Sequence, residues 1–269
     1  MAKETFDTIL TEQQISRAAQ ITQEALETRV STIINVGTNV IESMNSVALA
    51  AHIPSVYATI GLHPTDCTTQ WKDDLSQLTK LLSSKKFLQD NQTHKTNKIV
   101  GIGECGIDRF HTSHANYNLN RQIDAFRAQI ELSLEYDIGL VVHSRNAPDE
   151  TLTVLDEYRS QISRGIIHCF SYDLSFAHEA ISMGFVLGIG GTITYPNNKI
   201  VRAAVMELPL SNMVLETDAP FLPPQEIRGK QNHPKHIYTI AAFIAQMKET
   251  TLEDVAQITT INAQRIFNL

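Results

Sequence analysis

Seven short apolar runs recur along the chain, and each is continuous rather than alternating between apolar and polar positions. They lie at residues 31–37, 56–64, 99–108, 139–145, 164–170, 185–191 and 213–220. Continuous runs of this length are typical of strands in a parallel sheet, where both faces of each strand are covered. The pattern therefore predicts seven buried β-strands.

Segments with the periodicity of amphipathic helices separate these runs. The period is clearest at residues 118–137 and 175–184, and Gly184 stands where a C-cap is expected. The first clear element of the chain is a helix at 11–29, with Thr11 in a position to cap it. Because strands and helices alternate throughout, the sheet should be parallel.

A long parallel alternation has two common solutions, an open doubly wound sheet and a closed (β/α)8 barrel. The glycine fingerprint of dinucleotide-binding sheets is absent, and polar residues stand at the ends of many strands instead of at one crevice. We therefore expect a TIM-type (β/α)8 barrel, formed as a single domain by residues 1–269. Only the short segment 5–10 could supply an eighth strand, so the barrel is predicted to lack its usual first strand.

The composition fits a protein of the cytoplasm. A chain of 269 residues with 42% hydrophobic residues can bury a substantial core. Its three cysteines form no C-x-x-C pattern, and no signal peptide or apolar segment of membrane-helix length is present. We expect no membrane partner, and the sequence does not indicate an oligomeric state. The polar stretch 82–98 predicts an exposed loop that contains a solvated His94.

The charge balance limits the kind of nucleic acid that the protein can bind. The formal net charge is −7, and no run of Lys and Arg is long enough to act as a basic tail. This argues against tight electrostatic binding of a long duplex. A short or single-stranded nucleic acid held at a local site stays compatible with the sequence.

Four ionisable residues stand at or near the ends of separate apolar runs: Glu104, His143, His168 and Asp218. The carboxyl ends of all strands in a parallel barrel open on one face, so we expect these side chains to converge there. Each residue alone has a plain structural explanation, as a hydrogen-bonded core histidine or a helix cap. The pattern by itself supports a metal site and these structural roles about equally.

Histidine and carboxylate ligands together suit Zn²⁺, Mn²⁺ or iron, whereas carboxylates with water suit Mg²⁺. A divalent ion at such a site could lower the pKa of a bound water and polarise a phosphoryl or carbonyl oxygen. The chemistry predicted for the four residues is therefore hydrolysis.

Several motifs resemble one family when they are taken together and in order. They are "GLHP" (61–64), "GIGECGID" (101–108), "VVHSR" (141–145), "IIHCFS" (166–171), "IGGTIT" (189–194), "LETDAP" (215–220), "RGKQNHP" (228–234) and the ending "ITTINAQRIFNL" (258–269). As a set they resemble the TatD-type metal-dependent deoxyribonucleases of the amidohydrolase superfamily. The resemblance runs from about residue 31 to the C-terminus.

The resemblance implies a TIM-type barrel that binds one or two divalent ions, Mg²⁺, Mn²⁺ or Zn²⁺. It also implies hydrolysis of phosphodiester bonds from the 3′ end of DNA, with a single-stranded oligonucleotide as the expected substrate. In this resemblance Glu104 bridges the two ions, His143 and His168 bind one of them, and Asp218 is the ligand and proton acceptor beside the other. His63 and Arg145 are implied to bind the substrate phosphate.

The family's first strand carries a His-x-His motif that this sequence lacks, since its first histidine is His52. The chain begins just after the place where the motif would stand, either because its start lies too far downstream or because it is a natural variant. Glu104, His143 and His168 remain as three ligands for one ion. The second ion would keep only Asp218 and a share of Glu104, so the activity is expected to be impaired.

Lesser candidates surround the four main residues. Asp108 matches a family position near the site or simply begins a turn, and Glu216 shares the inward parity of Asp218 and could orient a ligand. Cys105 and Cys169 each follow a predicted ligand by one residue. Strand alternation should therefore turn both thiols away from the site.

Two further functions stay open beside the nuclease. A catalytically silent barrel that acts as a binding protein is motivated by the missing His-x-His motif. A related metal-dependent hydrolase of amides or esters is also compatible, because related barrels use similar ligands for different substrates.

Overall fold

The computed structural model of the protein describes residues 9–83, 98–113 and 117–269. Within them lie seven strands, each inside the apolar run that predicted it. They are β1 (Ile33–Val36), β2 (Val56–Ile60), β3 (Ile99–Asp108), β4 (Gly139–Arg145), β5 (Gly165–Ile167), β6 (Phe185–Ile189) and β7 (Met213–Leu215). All neighbouring strands pair in parallel, in the order of the chain.

Helices connect the strands and cover the outside of the sheet. They are α1 (Glu12–Glu27), α2 (Val40–His52), α3 (Trp71–Ser83), α4 (Leu119–Tyr136), α5 (Pro148–Asp156), α6 (Leu174–Ser182), α7 (Lys199–Glu207), α8 (Ile237–Met247) and α9 (Leu252–Phe267). Short 3₁₀ turns lie at Pro64–Asp66, Gly191–Thr194, Leu210–Asn212, Gln225–Ile227 and Pro234–His236.

The architecture is a curled parallel sheet of the TIM type, as predicted. Strands β1 and β7 are its edges, and no pairing between described residues joins them. Residues 5–8 of the segment considered for an eighth strand lie outside the described residues, as does most of the predicted loop 82–98 with His94. The backbone N–H of Leu10 donates to Asn45 Oδ1 at 3.0 Å, so this residue is attached to α2.

The ends of the predicted helices follow from local hydrogen bonds. Thr11 and Gln14 form a reciprocal capping box, in which the Gln14 N–H donates to Thr11 Oγ1 and the Thr11 N–H donates to Gln14 Oε1. Asn118 caps α4 in the same position of its helix. Gly184, two residues past the end of α6, has a φ of +92°, which favours glycine and ends the helix.

The inner face of the sheet is packed by one apolar residue from each strand. These residues are Ile34, Tyr57, Val100, Val141, Ile166, Val186 and Val214. Ile266 and Phe267, at the end of α9, join this inner cluster. Ile266 and Phe267 contact this cluster near the beginnings of the strands, so α9 closes that end of the barrel. The opposite end, the mouth formed by the carboxyl ends of the strands, holds the polar residues.

Candidate metal centre

Glu104 reaches the mouth of the barrel through a bulge in β3. Three residue steps along β3, from Ile102 to Cys105, pair with only two along β4. The Glu104 N–H instead donates to the carbonyl oxygen of Gly37, at the end of β1, at 3.0 Å. Bulges commonly re-aim side chains beside functional sites. The Cys105 thiol is fully buried in the outer core, as strand alternation predicted, whereas the Glu104 carboxylate faces the mouth.

Three imidazole rings surround the Glu104 carboxylate, which is 12% exposed. Its Oε1 atom lies 2.6 Å from His143 Nδ1 and 3.7 Å from His63 Nε2. Its Oε2 atom lies 4.0 Å from His168 Nε2. The structure therefore brings Glu104, His143 and His168 together, with His63 at a similar distance from the carboxylate.

The charges of this cluster stabilise one another. Burial raises the pKa of Glu104, but the charge of His168 and the hydrogen bond from His143 outweigh it and hold this pKa well below its usual range. Burial lowers the pKa of His143, and its hydrogen bonds to Asp108 and Glu104 outweigh that effect and raise it. A largely buried, ionised carboxylate thus stands among imidazole rings, and a bound metal ion would replace the protons that balance its charge.

His143 is held from behind by Asp108, whose carboxylate is fully buried. Asp108 Oδ2 lies 3.3 Å from His143 Nε2 and 2.8 Å from His111 Nδ1. Its Oδ1 atom accepts from the backbone N–H groups of Phe110 and His111 at 2.8 and 2.9 Å. Asp108 therefore begins a turn and also fixes the His143 ring with Nδ1 toward Glu104. A place near the site and a role in a turn, given as alternatives from the sequence, both apply to this residue.

His168 is oriented in a similar way by Glu216. Glu216 Oε2 lies 2.8 Å from His168 Nδ1, and Oε1 accepts from the backbone N–H of Cys169 at 2.6 Å. The carboxylate fits against Gly188 on β6, where an added Cβ would lie only 2.3 Å from Glu216 Oε2. The absence of a side chain at residue 188 thus makes room for the group that orients His168.

Asp218 completes the cluster on the side of His168. Asp218 Oδ1 lies 3.5 Å from His168 Nε2, and the side chain is 31% exposed. Burial raises the pKa of Asp218, and the charges of the Glu104 and Glu216 carboxylates raise it further. The hydrogen bond with His168 lowers it by less, so the pKa of Asp218 lies above its usual value. A carboxylate with a raised pKa accepts a proton more readily than an ordinary aspartate does.

His63 follows β2 and stands at the start of the turn Pro64–Asp66. Its Nδ1 atom lies 2.7 Å from Thr65 Oγ1, which leaves Nε2 directed at the cluster, 3.2 Å from His143 Nδ1. The ring is therefore fixed from the side of the loop and offers one nitrogen to the site.

Arg145 lies at the rim, at the end of β4. Its guanidinium carbon lies 3.9 Å from the centroid of the Phe110 ring, and the side chain is exposed. Among the residues that the structure describes, no carboxylate forms a salt bridge with this guanidinium. Within the described part of the chain, the guanidinium is thus positioned by the Phe110 ring and not by a carboxylate.

The donor atoms fit a divalent metal ion. His63, Glu104 and His143 each offer one ligand atom, and these atoms all lie within 4.8 Å of one another. The same holds for a second group, His168, Cys169 and Glu216. Imidazole nitrogens with a carboxylate oxygen are ordinary ligands of Zn²⁺ and Mn²⁺.

The prediction that Cys169 turns away from the site is wrong. Strand β5 ends at Ile167, so the alternation of a strand does not extend to residue 169. Cys169 has a φ of +47°, which reverses the backbone and brings the thiol to His168 and Glu216. Strand parity predicts side-chain direction only where the extended backbone continues.

Sequence reasoning also missed two residues of the site, Phe110 and His111. His111 bonds to Asp108, and Phe110 stacks on Arg145. The turn that Asp108 begins could have indicated both residues. An aspartate at the start of a turn accepts hydrogen bonds from the backbone N–H groups two and three positions later, here Phe110 and His111.

Comparison with known proteins gives consistent matches along the whole chain. The family model described as TatD related DNase matches residues 7–268. The Bacillus subtilis protein named "Uncharacterized metal-dependent hydrolase YabD" is 32% identical over 267 residues, which cover 98% of this chain and 99% of that protein. The "3'-5' ssDNA/RNA exonuclease TatD" of Pectobacterium atrosepticum is 30% identical over 247 residues, 89% of each chain.

A solved structure supports the fold in three dimensions. The crystal structure of YjjV, a TatD homologue from Escherichia coli K12, superposes with a TM-score of 0.85 at 28% identity, covering 98% of this chain and 97% of that one. None of the described helices combines the length and the apolar character that a bilayer crossing needs.

Proposed function

The chain belongs to the family of TatD-related DNases, and we propose that it hydrolyses phosphodiester bonds of DNA in a reaction that depends on a divalent metal ion. The observation that carries the proposal is the buried Glu104 carboxylate among the rings of His63, His143 and His168. The name of the Pectobacterium atrosepticum relative, a 3′–5′ exonuclease of single-stranded DNA and RNA, supports a single-stranded substrate degraded from its 3′ end.

In this proposal Glu104, His143 and His168 hold the ion, which is Mg²⁺, Mn²⁺ or Zn²⁺. Such an ion supplies Lewis acidity at a phosphoryl oxygen and makes water a better nucleophile near neutral pH. Asp108 and Glu216 keep the two histidine rings in position, each through a hydrogen bond to the ring nitrogen that faces away from Glu104.

Asp218 accepts the proton of the attacking water. Its raised pKa makes it a better base than an ordinary surface aspartate, and it lies next to His168 on the exposed side of the cluster. Glu104 is less suited to this task, because its pKa is held low by the surrounding imidazoles.

His63 and Arg145 bind the scissile phosphate. His63 directs Nε2 into the cluster, and Arg145 offers a planar set of N–H donors at the rim. A phosphate that is bound by both lies between the cluster and the open mouth, where its neighbouring nucleotides can extend into solvent.

The number of ions is one or two per chain. Glu104, His143 and His168 supply the ligands of the first ion, and Asp218 together with Glu104 is left for a second. With two carboxylates as its ligands among the described residues, the second ion should bind more weakly than the first, and the rate should be lower than that of an enzyme with two complete sets of ligands.

The test is a nuclease assay on single-stranded DNA that carries a label at its 5′ end. The wild-type protein with Mn²⁺ should produce a ladder that shortens from the 3′ end, and chelation of the metal should stop it. Glu104→Ala should lose the reaction, whereas Glu135→Ala, which removes an exposed carboxylate on α4, should keep it. Metal-dependent cleavage by Glu104→Ala at the wild-type rate would overturn the proposal.

A further inference from the structure

Phe110 presents an unusual surface beside the cluster. Its side chain is 54% exposed, although it directly follows a strand end that carries buried polar residues. One face of the ring is covered by the Arg145 guanidinium at 3.9 Å from the ring centroid. The His111 ring lies next to it, with the two ring centroids 5.1 Å apart and the two ring planes at 84° to one another.

The ring is fixed by its backbone as well as by these contacts. The Phe110 N–H donates to Asp108 Oδ1 at 2.8 Å, and the preceding N–H, that of Arg109, donates to the Arg145 carbonyl oxygen at 2.8 Å. Asp108 in turn bonds to His143. A short series of hydrogen bonds, through Asp108 and His143, therefore connects the backbone of Phe110 to the cluster around Glu104.

A planar aromatic ring backed by a guanidinium is a surface on which a nucleobase can stack. Base–aromatic stacking tolerates every base, because each base has a π-face, and an arginine adds an attraction to the ring system. Within the described residues no hydrogen bond or salt bridge engages the N–H donors in the plane of the Arg145 guanidinium, so the same pair offers a stacking face and a phosphate-binding group side by side. A nucleotide likewise carries its base and its phosphate close together, so one nucleotide could contact both side chains.

We infer that the Phe110–Arg145 pair is a binding subsite for one unpaired base of the DNA substrate, next to the nucleotide whose phosphodiester bond is cleaved. This inference rests on the proposed function, and it adds the residue that selects an unpaired strand. A base in a duplex has both faces covered by its neighbours in the stack, so it cannot stack on Phe110 without leaving the duplex.

The test compares two single-stranded oligonucleotides of equal length, one with all its bases and one with abasic sites in the four nucleotides nearest the 3′ end. For the complete oligonucleotide, Phe110→Ala should raise KM by about 5-fold to 100-fold and leave kcat close to the wild-type value, since stacking of this size is lost in binding. For the abasic oligonucleotide the same substitution should change KM by less than about 2-fold, because no base is left to stack.

Two control variants separate stacking from general damage. Phe110→Trp keeps an aromatic face and should retain the wild-type KM for the complete oligonucleotide. Tyr238→Ala removes an aromatic side chain of equal exposure, 53%, on α8, and should leave both substrates unaffected.

The outcomes distinguish this inference from the proposed function. An equal change for both oligonucleotides in Phe110→Ala, or no change for either, would overturn the stacking subsite while the wild-type cleavage still supports the nuclease. A wild-type protein that cleaves neither oligonucleotide with Mn²⁺ would overturn both.

Discussion

Asp108 Oδ2 lies 3.3 Å from His143 Nε2, on the side of the imidazole ring that faces away from Glu104. The same oxygen lies 2.8 Å from His111 Nδ1, so a single buried carboxylate fixes two histidines. A histidine whose second nitrogen is held in this way has one orientation and a more basic free nitrogen, which favours metal binding.

Asp108→Asn should therefore weaken metal binding without removing any proposed ligand. We expect the dissociation constant for Mn²⁺ to rise by about 10-fold to 100-fold, because outer carboxylates of metal-bound histidines contribute about this much. Calorimetric titration of the metal-stripped variant measures the change. Asp156→Asn, at an exposed position on α5, is the matched control and should bind like the wild type. An unchanged affinity in Asp108→Asn would mean that His143 is not a ligand or needs no support.

Gly188→Ala should disturb Glu216 and, through it, His168. The new Cβ would lie 2.3 Å from Glu216 Oε2, a distance that forces the carboxylate to move. The shifted carboxylate would lose its hydrogen bonds to His168 and to the Cys169 N–H, so we expect a loss of about 1 kcal/mol for each in the free energy of unfolding, together with lower nuclease activity. Chemical denaturation and the single-strand assay measure the two effects.

Gly190→Ala is the control for this substitution, because Gly190 lies two residues further along the chain, just past the end of β6. Its added Cβ would lie 3.7 Å from Glu216 Cγ, which is an ordinary contact, and the φ of Gly190 is −104°, which alanine adopts without strain. Equal losses of stability in both variants would contradict the assignment of the effect to the Glu216 carboxylate.

Metal binding should weaken on acidification at a higher pH than for ordinary histidines. Burial lowers the pKa of His168, but the neighbouring Cys169 and the Glu216 and Glu104 carboxylates outweigh it and hold this pKa well above its usual value, and the pKa of His143 is also raised. Protons therefore stay on these rings above the usual histidine pKa of about 6.5 and compete with the metal there. Binding is strongest at high pH and falls as the pH decreases.

The measurement is a Mn²⁺ titration in steps between about pH 6 and pH 8, the range in which histidines exchange protons. The affinity should decrease steadily from the alkaline to the acid end, with protons released on binding in buffers of different ionisation enthalpy. A constant affinity across this range would show that Mn²⁺ displaces no protons from the histidines, so that they are not its ligands.

The sequence was sufficient to predict the strands and the residues at their ends. The runs that became β1 to β7 are apolar because the helices cover one face of the sheet and the inner cluster covers the other. Strand parity then placed His143 above Val141, and Glu216 above Val214, on the inner face. These relations depend only on the period of a strand.

The rest depends on backbone geometry that has no periodic signal. The bulge between Ile102 and Cys105 directs Glu104, and the positive φ of Cys169 brings its thiol to the site. The stack of Phe110 on Arg145 joins a residue just past the end of β3 to the last residue of β4. None of these contacts follows from the spacing of residues along the chain, since each depends either on the register of one strand against another or on a local turn of the backbone.

If the Glu104 carboxylate holds a divalent ion, its removal must abolish metal binding, which calorimetric titration of the metal-stripped protein with Mn²⁺ measures. The wild-type protein and Glu135→Ala should bind at least one ion per chain tightly, and Glu104→Ala should lose this binding while it keeps its helical circular dichroism. Binding of Mn²⁺ by a folded Glu104→Ala variant with wild-type affinity and stoichiometry would show that Glu104 is not a ligand.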